Sequence, residues 1–276
     1  MKPRSFKEAL GSVLTKKEME KTVTSFDVIG DIAILEVPER LERRKKAIAN
    51  ALLKVHKNIK VVLRKASGRG GPYRTHKLHF LAGAKRVTTV HHESSCTFAL
   101  NVETCYFSIR EATERQRIAS LVKDGERVLV MFAGVGPYAI VIAKKKDVQM
   151  VAVEINPDAV AYMEKNVKAN KVMHRVAPVL GDVKMVVPDF DKFDRVVMPL
   201  PLSAHEYLDV AIHALKKGGI VHFYSVQQEK DLYSEPMKVL EHEAKKMRRR
   251  VKIVDKRAVL PYAPRVWKVC VDAKIF

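Results

Sequence analysis

The stretch "FAGVGPYAIVIAKKKDVQMVAVEINPDAV", residues 132–160, decides the fold. A glycine-rich turn lies between two apolar runs, and an acidic residue, Glu154, closes the second run. The run before the turn, "ERVLVMFAG" (126–134), reads as a strand, and "PYAIVIAKKK" (137–146) reads as the helix that follows. The pattern continues with a strand "VQMVAVEI", a helix "PDAVAYMEKNVKAN", strands "VAPVLGD" and "FDRVVMPL", a helix "AHEYLDVAIHALKK" and a strand "GGIVHFYSV". Gly218-Gly219 is the expected helix-to-strand turn. Such alternation gives βαβ units and a mainly parallel sheet with helices on both faces. After one more helix, "PMKVLEHEAKKMRR", the chain ends on two strands joined by a Pro-containing turn, which makes the last strand antiparallel.

Upstream the pattern differs. Residues 1–22 read as one or two short helices, and "FDVIGDIAILEVP" (26–38) as two strands about Gly30-Asp31. Residues 39–57 carry Ala47, Ile48, Ala51, Leu52 and Val55 at helical spacing. "KVVLRKA" (60–66), "RTHKLHFLAG" (74–83) and "RVTTVHHE" (86–93) read as strands, with "SGRGG" (67–71) as a flexible turn. The expectation is an α+β domain over 1–100 and an α/β domain over 101–276, with the boundary near 95–110.

Lys plus Arg total 51 against 31 acids, a formal charge of +20. Ion-pair networks explain many charges but not a one-sided excess, so a polyanionic partner such as nucleic acid is expected. The excess is concentrated: Glu39 to Arg86 holds 15 Lys/Arg and 2 acids, and "KKMRRRVK" (245–252) is a second cluster. No apolar run approaches the length of a membrane span. Cys96, Cys105 and Cys270 lack metal-ligand spacing and suggest reduced thiols in a cytoplasmic protein, most simply as buried apolar groups. His91 and His92 read as strand-end surface residues, and no metal site is expected.

Ligands of doubly wound sheets sit beyond the carboxyl ends of the strands. Gly134 and Gly136 let a backbone approach a ligand closely. Glu154, 20 residues after Gly134, stands where a carboxylate accepts from ribose hydroxyls. Pro137 removes an N–H that a pyrophosphate wants, which turns the reading from a dinucleotide to S-adenosylmethionine. Asp182 ends the following strand, either as an acceptor for the adenine amino group or as a helix N-cap.

Together, "FDVIGDIAILEVP", "VVLRKA…GGPYRT", "YFSIREATER", "FAGVGPY", "VEINPDAV", "PLPLSAHEYLD", "GGIVHFY" and "YAPRVW" resemble the archaeal and eukaryotic tRNA (guanine-37 N1)-methyltransferases. The likeness covers nearly the whole chain. It implies a class I S-adenosylmethionine-dependent methyltransferase, Rossmann-like, behind a smaller RNA-contacting α+β domain, in the form without the family's extra N-terminal domain. The wybutosine-pathway aminocarboxypropyltransferases are close relatives. The resemblance implies catalytic roles for Arg74, Tyr106 and Glu114, with Glu114 as the proton-accepting base and Arg74 facing the charge that builds on guanine O6. It implies a cofactor site of Phe132, Gly134, Gly136, Glu154, Asp182, Pro199 and Pro201. Two departures stand out: Val130 replaces the usual Asp before the glycine turn, and Pro199-Leu200-Pro201 replaces Asn-Leu-Pro, whose asparagine helps hold the guanine. The implied partner is the anticodon stem-loop of tRNA, with no membrane, no obligatory protein partner and a monomeric state. Alternatives are aminocarboxypropyl transfer to, or methylation of, the tricyclic guanine derivative, and a non-catalytic RNA-binding protein. Taken alone, "ATER" (112–115) reads equally as a helix start with a capping-box Thr113.

Overall fold

A computed structural model describes residues 3–20, 22, 24–66, 68, 70–71 and 73–276. The chain divides into two compact units, 1–92 with 97–109, and 93–96 with 110–276. The division interleaves at a hairpin whose turn, residues 93–96, belongs to the second unit.

The first unit begins with two short helices, α1 (Phe6–Gly11) and α2 (Lys16–Met19), capped by Ser5 and by a Thr15–Glu18 capping box. Strands β1 (Phe26–Ile29) and β2 (Ile32–Leu35) form a hairpin about Gly30, whose φ of 57° suits the tight turn. A 3-10 turn over Glu39–Arg44 leads into α3 (Lys45–Val55), where one continuous helix was expected. Helix α3 is the crossover to β3 (Val61–Lys65), which pairs parallel with β2. Strand β4 (Leu78–Gly83) completes an antiparallel edge, giving the order β1-β2-β3-β4. It is shorter than the 74–83 read from sequence because Arg74 has a left-handed φ of 53°. Leu10, Leu52 and Val62 fill the core between helices and sheet. A separate hairpin, β5 (Thr88–Glu93) with β6 (Cys96–Asn101), follows; β6 was not anticipated. His91 is not a plain surface residue: its ring lies edge-on 5.2 Å from Phe107, and its Nδ1 accepts from the Gly30 N–H. Ser67, Arg69 and Pro72, part of the expected "SGRGG" turn and its continuation, lie outside the described residues.

The second unit starts with α4 (Ala112–Leu121) and β7 (Arg127–Met131), then alternates through α5 (Pro137–Lys145), β8 (Gln149–Glu154), α6 (Pro157–Ala169), β9 (Val176–Leu180), α7 (Val183–Val186) and β10 (Phe193–Met198). It continues with α8 (Leu208–Ala214), β11 (Leu215–Gln228), α9 (Ser234–Lys246), β12 (Val251–Ala263) and β13 (Val266–Ile275). The seven strands run in the order β12-β13-β11-β10-β7-β8-β9, with β9, β8, β7, β10 and β11 parallel and β13 antiparallel to both neighbours. This is the Rossmann-like methyltransferase architecture read from sequence. Val128, Leu129, Val130 and Met131 are all buried, as a parallel strand covered on both faces requires.

Two local readings are corrected. Lys216 and Lys217 do not extend α8, and Gly218-Gly219 is not a helix-to-strand turn but lies inside β11. The pairing with β10 jumps from Phe193–Leu215 to Arg195–Ile220, so the residues between bulge out, and Gly218 takes a φ of 80°. Thr113 forms no capping box, because α4 starts two residues earlier than a Thr113 cap would place it, with Glu111 as N-cap and no side-chain cap bond. Cys96, Cys105 and Cys270 are buried and, among the described residues, form no disulfide. Among the described residues no helix is long and apolar enough to cross a membrane.

Candidate active site

Because β7, β8, β9 and β10 are parallel neighbours, the segments after them emerge on one end of the sheet. The sequence candidates Phe132, Gly134, Gly136, Glu154, Asp182, Pro199 and Pro201 all fall there. The turn after β7 is tightly wound. Phe132, Gly134 and Gly136 have φ of 56°, 57° and 88°. Phe132 is not glycine, so its left-handed backbone stores strain that the surroundings must hold. Its ring packs edge-on against Tyr207 at 4.9 Å, and the Ala133 N–H bonds Val153 O. A Cβ on Gly136 would lie 2.8 Å from Met163 Cγ, so α6 packs directly on the turn. Asn166 Nδ2 on the same helix donates to Val135 O.

Glu154 is bound into this turn. Its Oε2 accepts from the Gly134 N–H at 2.8 Å and its Oε1 from the Asn156 N–H at 2.8 Å. Burial pushes its carboxyl above the usual range, against the pull of those backbone donors. A partly buried carboxylate with backbone partners suits ribose hydroxyls. Pro137 opens α5 without an N–H, and among the described residues of the turn there is no cation for a pyrophosphate. The set therefore fits a nucleoside without phosphates, such as S-adenosylmethionine. Asp182 is half-buried and caps α7 by accepting from the Lys184 N–H, so the cap is real whatever else it holds. Pro199 and Pro201 flank Leu200, whose N–H turns back to Met198 O.

Glu114, in the first turn of α4, is 4% exposed. Its Oε1 accepts from Tyr224 Oη at 2.6 Å and Arg117 Nη2 at 2.7 Å, and its Oε2 from Arg117 Nε at 2.8 Å. A carboxylate has about four lone-pair sites, so one more donor can be accepted. Arg117 also reaches Asp272 Oδ2 through Nη1 at 2.6 Å. Asp272 Oδ1 takes His222 Nδ1 at 2.6 Å, His222 Nε2 faces Arg195 Nη1 at 2.7 Å, and Arg195 holds Glu126 through two bonds. On the other side of Glu114, Tyr224 packs 6.2 Å from Tyr138, whose Oη donates to Glu111 Oε2. Lys268 Nζ lies 2.8 Å from the same oxygen and over the Tyr224 ring. A buried polar spine thus runs along one face of the sheet, and Tyr138, the second residue of the helix that follows the glycine turn, ties it to that helix.

Charge states along the spine follow from its geometry. Burial works against charge on Asp272, but hydrogen bonds from His222 and Arg117 more than offset it and hold its carboxyl far below the usual range. Arg117 likewise stays charged against burial because Glu114 and Asp272 grip it. Burial pushes His222 down, so it is neutral, with Nδ1–H donating to Asp272 and Nε2 accepting from Arg195. Burial raises Tyr224, Tyr138 and Cys270 well above their ordinary values, so they keep their protons. His222, Cys270 and Asp272 bring ligand atoms within 4.8 Å of one another, but two guanidiniums already donate to this group, which disfavours a cation there.

In the first unit, Arg74 is half-buried, in a turn closed by its N–H to Gly71 O and by the Gly70–Thr75 bridge. Tyr106, half-buried, follows Cys105 in the segment after β6. Sequence reasoning missed Arg117, His222, Tyr224, Lys268 and Asp272. A signal existed: His222 and Tyr224, and Lys268, Cys270 and Asp272, alternate within otherwise apolar strands, which puts each set on one face.

The TRM5/TYW2 methyltransferase domain model matches residues 89–254, and the TYW2 N-terminal domain model matches residues 6–86. The chain is 40% identical to a protein of Pyrococcus abyssi named tRNA (guanine(37)-N(1))-methyltransferase Trm5b, over 99% of this chain and 81% of that one. A solved complex of aTrm5 with tRNALeu matches with a TM-score of 0.89 at 34% identity, over 100% of this chain and 79% of that one. The structure of Pyrococcus horikoshii TYW2 with MeSAdo matches with a TM-score of 0.83 at 29% identity, over 100% of this chain and 99% of that one.

Proposed function

The chain belongs to the TRM5/TYW2 methyltransferase family, and from that premise we propose that it is a tRNA methyltransferase, moving a methyl group from S-adenosylmethionine to N1 of guanosine 37. The observation that carries this reading is the placement of Glu114: a buried carboxylate with one acceptor site left, joined through Tyr224 and Tyr138 to the helix that starts at the glycine turn.

When bound, S-adenosylmethionine supplies a methyl group on a sulfonium, an electrophile that needs no metal. The residues do the rest. Glu154 and the turn around Gly134 and Gly136 hold the nucleoside half. Guanine N1 carries a proton at neutral pH, so Glu114 takes that proton as the N1–CH3 bond forms and the S–CH3 bond breaks, its electron pair staying on sulfur. The charge that builds on O6 is met by the Arg74 guanidinium, which cannot itself be the base. Tyr106 contacts the target base. Removing the guanine from its stack costs a few kcal/mol, which phosphate contacts by the basic 1–100 domain offset. The anticodon stem-loop is the proposed contact region, the protein is proposed to act as a monomer, and three cysteines outside any disulfide fit a cytoplasmic setting.

A second reading has its own observation. The match to a TYW2 N-terminal domain, and the nearly full coverage of the P. horikoshii chain, favour aminocarboxypropyl transfer to a tricyclic guanine. The by-product separates the two. With tRNA and S-adenosylmethionine, chromatography is expected to find S-adenosylhomocysteine; methylthioadenosine in its place would assign the second activity.

A further inference from the structure

A pocket of about 240 Å³ opens in the second unit, at the end of the sheet opposite to the strand-end candidates Gly134, Glu154 and Asp182. Its walls come from the starts of the parallel strands. Lys123 precedes β7, Asp194 and Arg195 stand early in β10, and Lys216 and Lys217 early in β11, while Lys274 lies near the end of the antiparallel β13. β10 is six residues long, so about 20 Å of strand separates the two ends. The hollow is far larger than a single water requires, which is about 10–15 Å³. The bulge of β11 builds one wall. Residues between Leu215 and Ile220 leave the register with β10, and Gly218 is left-handed, where a Cβ would meet Lys274 Cε at 3.4 Å.

The acids of the pocket are already engaged. Glu126 accepts from Arg195 Nε at 2.7 Å and Nη2 at 2.9 Å. Asp194 accepts from Lys216 Nζ on both oxygens at 2.9 Å and from the Arg127 N–H at 2.8 Å. Burial works against charge on Asp194, but those donors hold its carboxyl below the usual range. Lys123, Lys217 and Lys274 remain, and among the described residues none of them has a carboxylate partner. Lys274 is half-buried, and its Nζ stands 5.3 Å from the Phe276 ring rather than beside an acid. On an ordinary solvated face such charges spread apart, whereas here they line one hollow and repel one another until an anion joins them. We propose that this pocket binds a phosphate group on Lys123, Lys217 and Lys274, whether the phosphate belongs to an RNA backbone or to a free diphosphate. Lysine suits that task as a mobile point charge. S-adenosylmethionine carries no phosphate and belongs to the opposite end of the sheet, so it does not compete. Occupancy of the pocket does not depend on which group the protein transfers.

The test is calorimetric titration of the whole chain with pyrophosphate at low salt, for the wild type, for Lys123→Ala combined with Lys217→Ala, and for Lys165→Ala on α6 as a control of equal charge. Lys123 and Lys217 are exposed, so the double variant keeps its fold. Saturable binding to the wild type is expected, weakened about tenfold or more in the double variant and within about twofold of wild type in Lys165→Ala. A wild type that shows no saturable binding overturns the proposal. An equal loss in the control and the double variant also overturns it, because the anion then answers to diffuse charge and not to this pocket. Repeating the titration with saturating tRNA identifies the source. Pyrophosphate displaced by tRNA, together with weaker tRNA binding by the double variant, assigns the pocket to a backbone phosphate; pyrophosphate bound alongside tRNA assigns it to a free anion. A wild type that binds pyrophosphate here but transfers nothing to tRNA overturns the function and leaves the pocket standing.

Discussion

The two residues assigned the chemistry sit in opposite kinds of structure. Arg74 stands, half-buried, in a turn of the first unit, its backbone left-handed and near Gly70 and Gly71 in sequence. Glu114 stands in the interior of the second unit, with both oxygens gripped by Arg117 and Tyr224 and a chain of partners behind them. The difference teaches what each part can be asked to do. A guanidinium keeps its charge anywhere, so its task needs reach rather than environment. A carboxylate has to be given the right environment, so it is built into a preorganised frame. Mutations should therefore separate the two: changes at Arg74 act on rate alone, while changes around Glu114 act on rate and stability together.

The largest expected effect is on chemistry. Glu114→Gln is expected to cut single-turnover transfer about a hundredfold or more while S-adenosylmethionine affinity stays within a few-fold. An equal loss of both would dissolve the contrast by making Glu114 a binding residue. Next comes stability. Arg117→Ala leaves Glu114 and Asp272 buried without their cation, and a loss of about 3–5 kcal/mol is expected in urea unfolding. Arg74→Ala, by comparison, is expected to change stability by less than about 1 kcal/mol while slowing transfer. A large stability loss at Arg74 would break the comparison from that side.

Finer changes sharpen it. Tyr224→Phe removes one hydrogen bond to a buried carboxylate and is expected to cost about 1–3 kcal/mol, read as a lower urea midpoint. The smallest effect is on pH. His222 is pushed down by burial, so below its unfolded value of about 6.5 the unfolded chain takes up a proton that the folded chain refuses. Stability should fall as the pH drops through that value, with the depressed Asp272 adding to the loss at still lower pH. His222→Gln should flatten the first part of that fall; a wild-type urea midpoint that does not change on acidification would contradict the neutral His222.

Much of the fold was legible because the second unit is written in regular periods. The apolar run of 128–131, the glycine turn and the acid Glu154 fix a strand, a turn and a strand end by composition alone. The clustering of the strand-end candidates was legible for the same reason: parallel order carries each strand-end residue to one edge. What escaped was set by contacts distant in sequence. Thr113 looked like a helix cap, but Glu111 takes that position as the helix starts two residues sooner. Arg117 looked like one more basic residue in a basic chain, although its partner Asp272 lies 155 residues away. Lys216-Lys217 looked like a helix end because the bulge that admits them into β11 depends on how β10 pairs.

The most direct measurement is mass spectrometry of nucleosides from unmodified tRNA incubated with the protein and S-adenosylmethionine, with the modified position mapped by nuclease fragments. The account predicts 1-methylguanosine at position 37 with the wild type and almost none with Glu114→Gln. A guanosine 37 left unmodified by the wild type, or one carrying an aminocarboxypropyl mass, would contradict it.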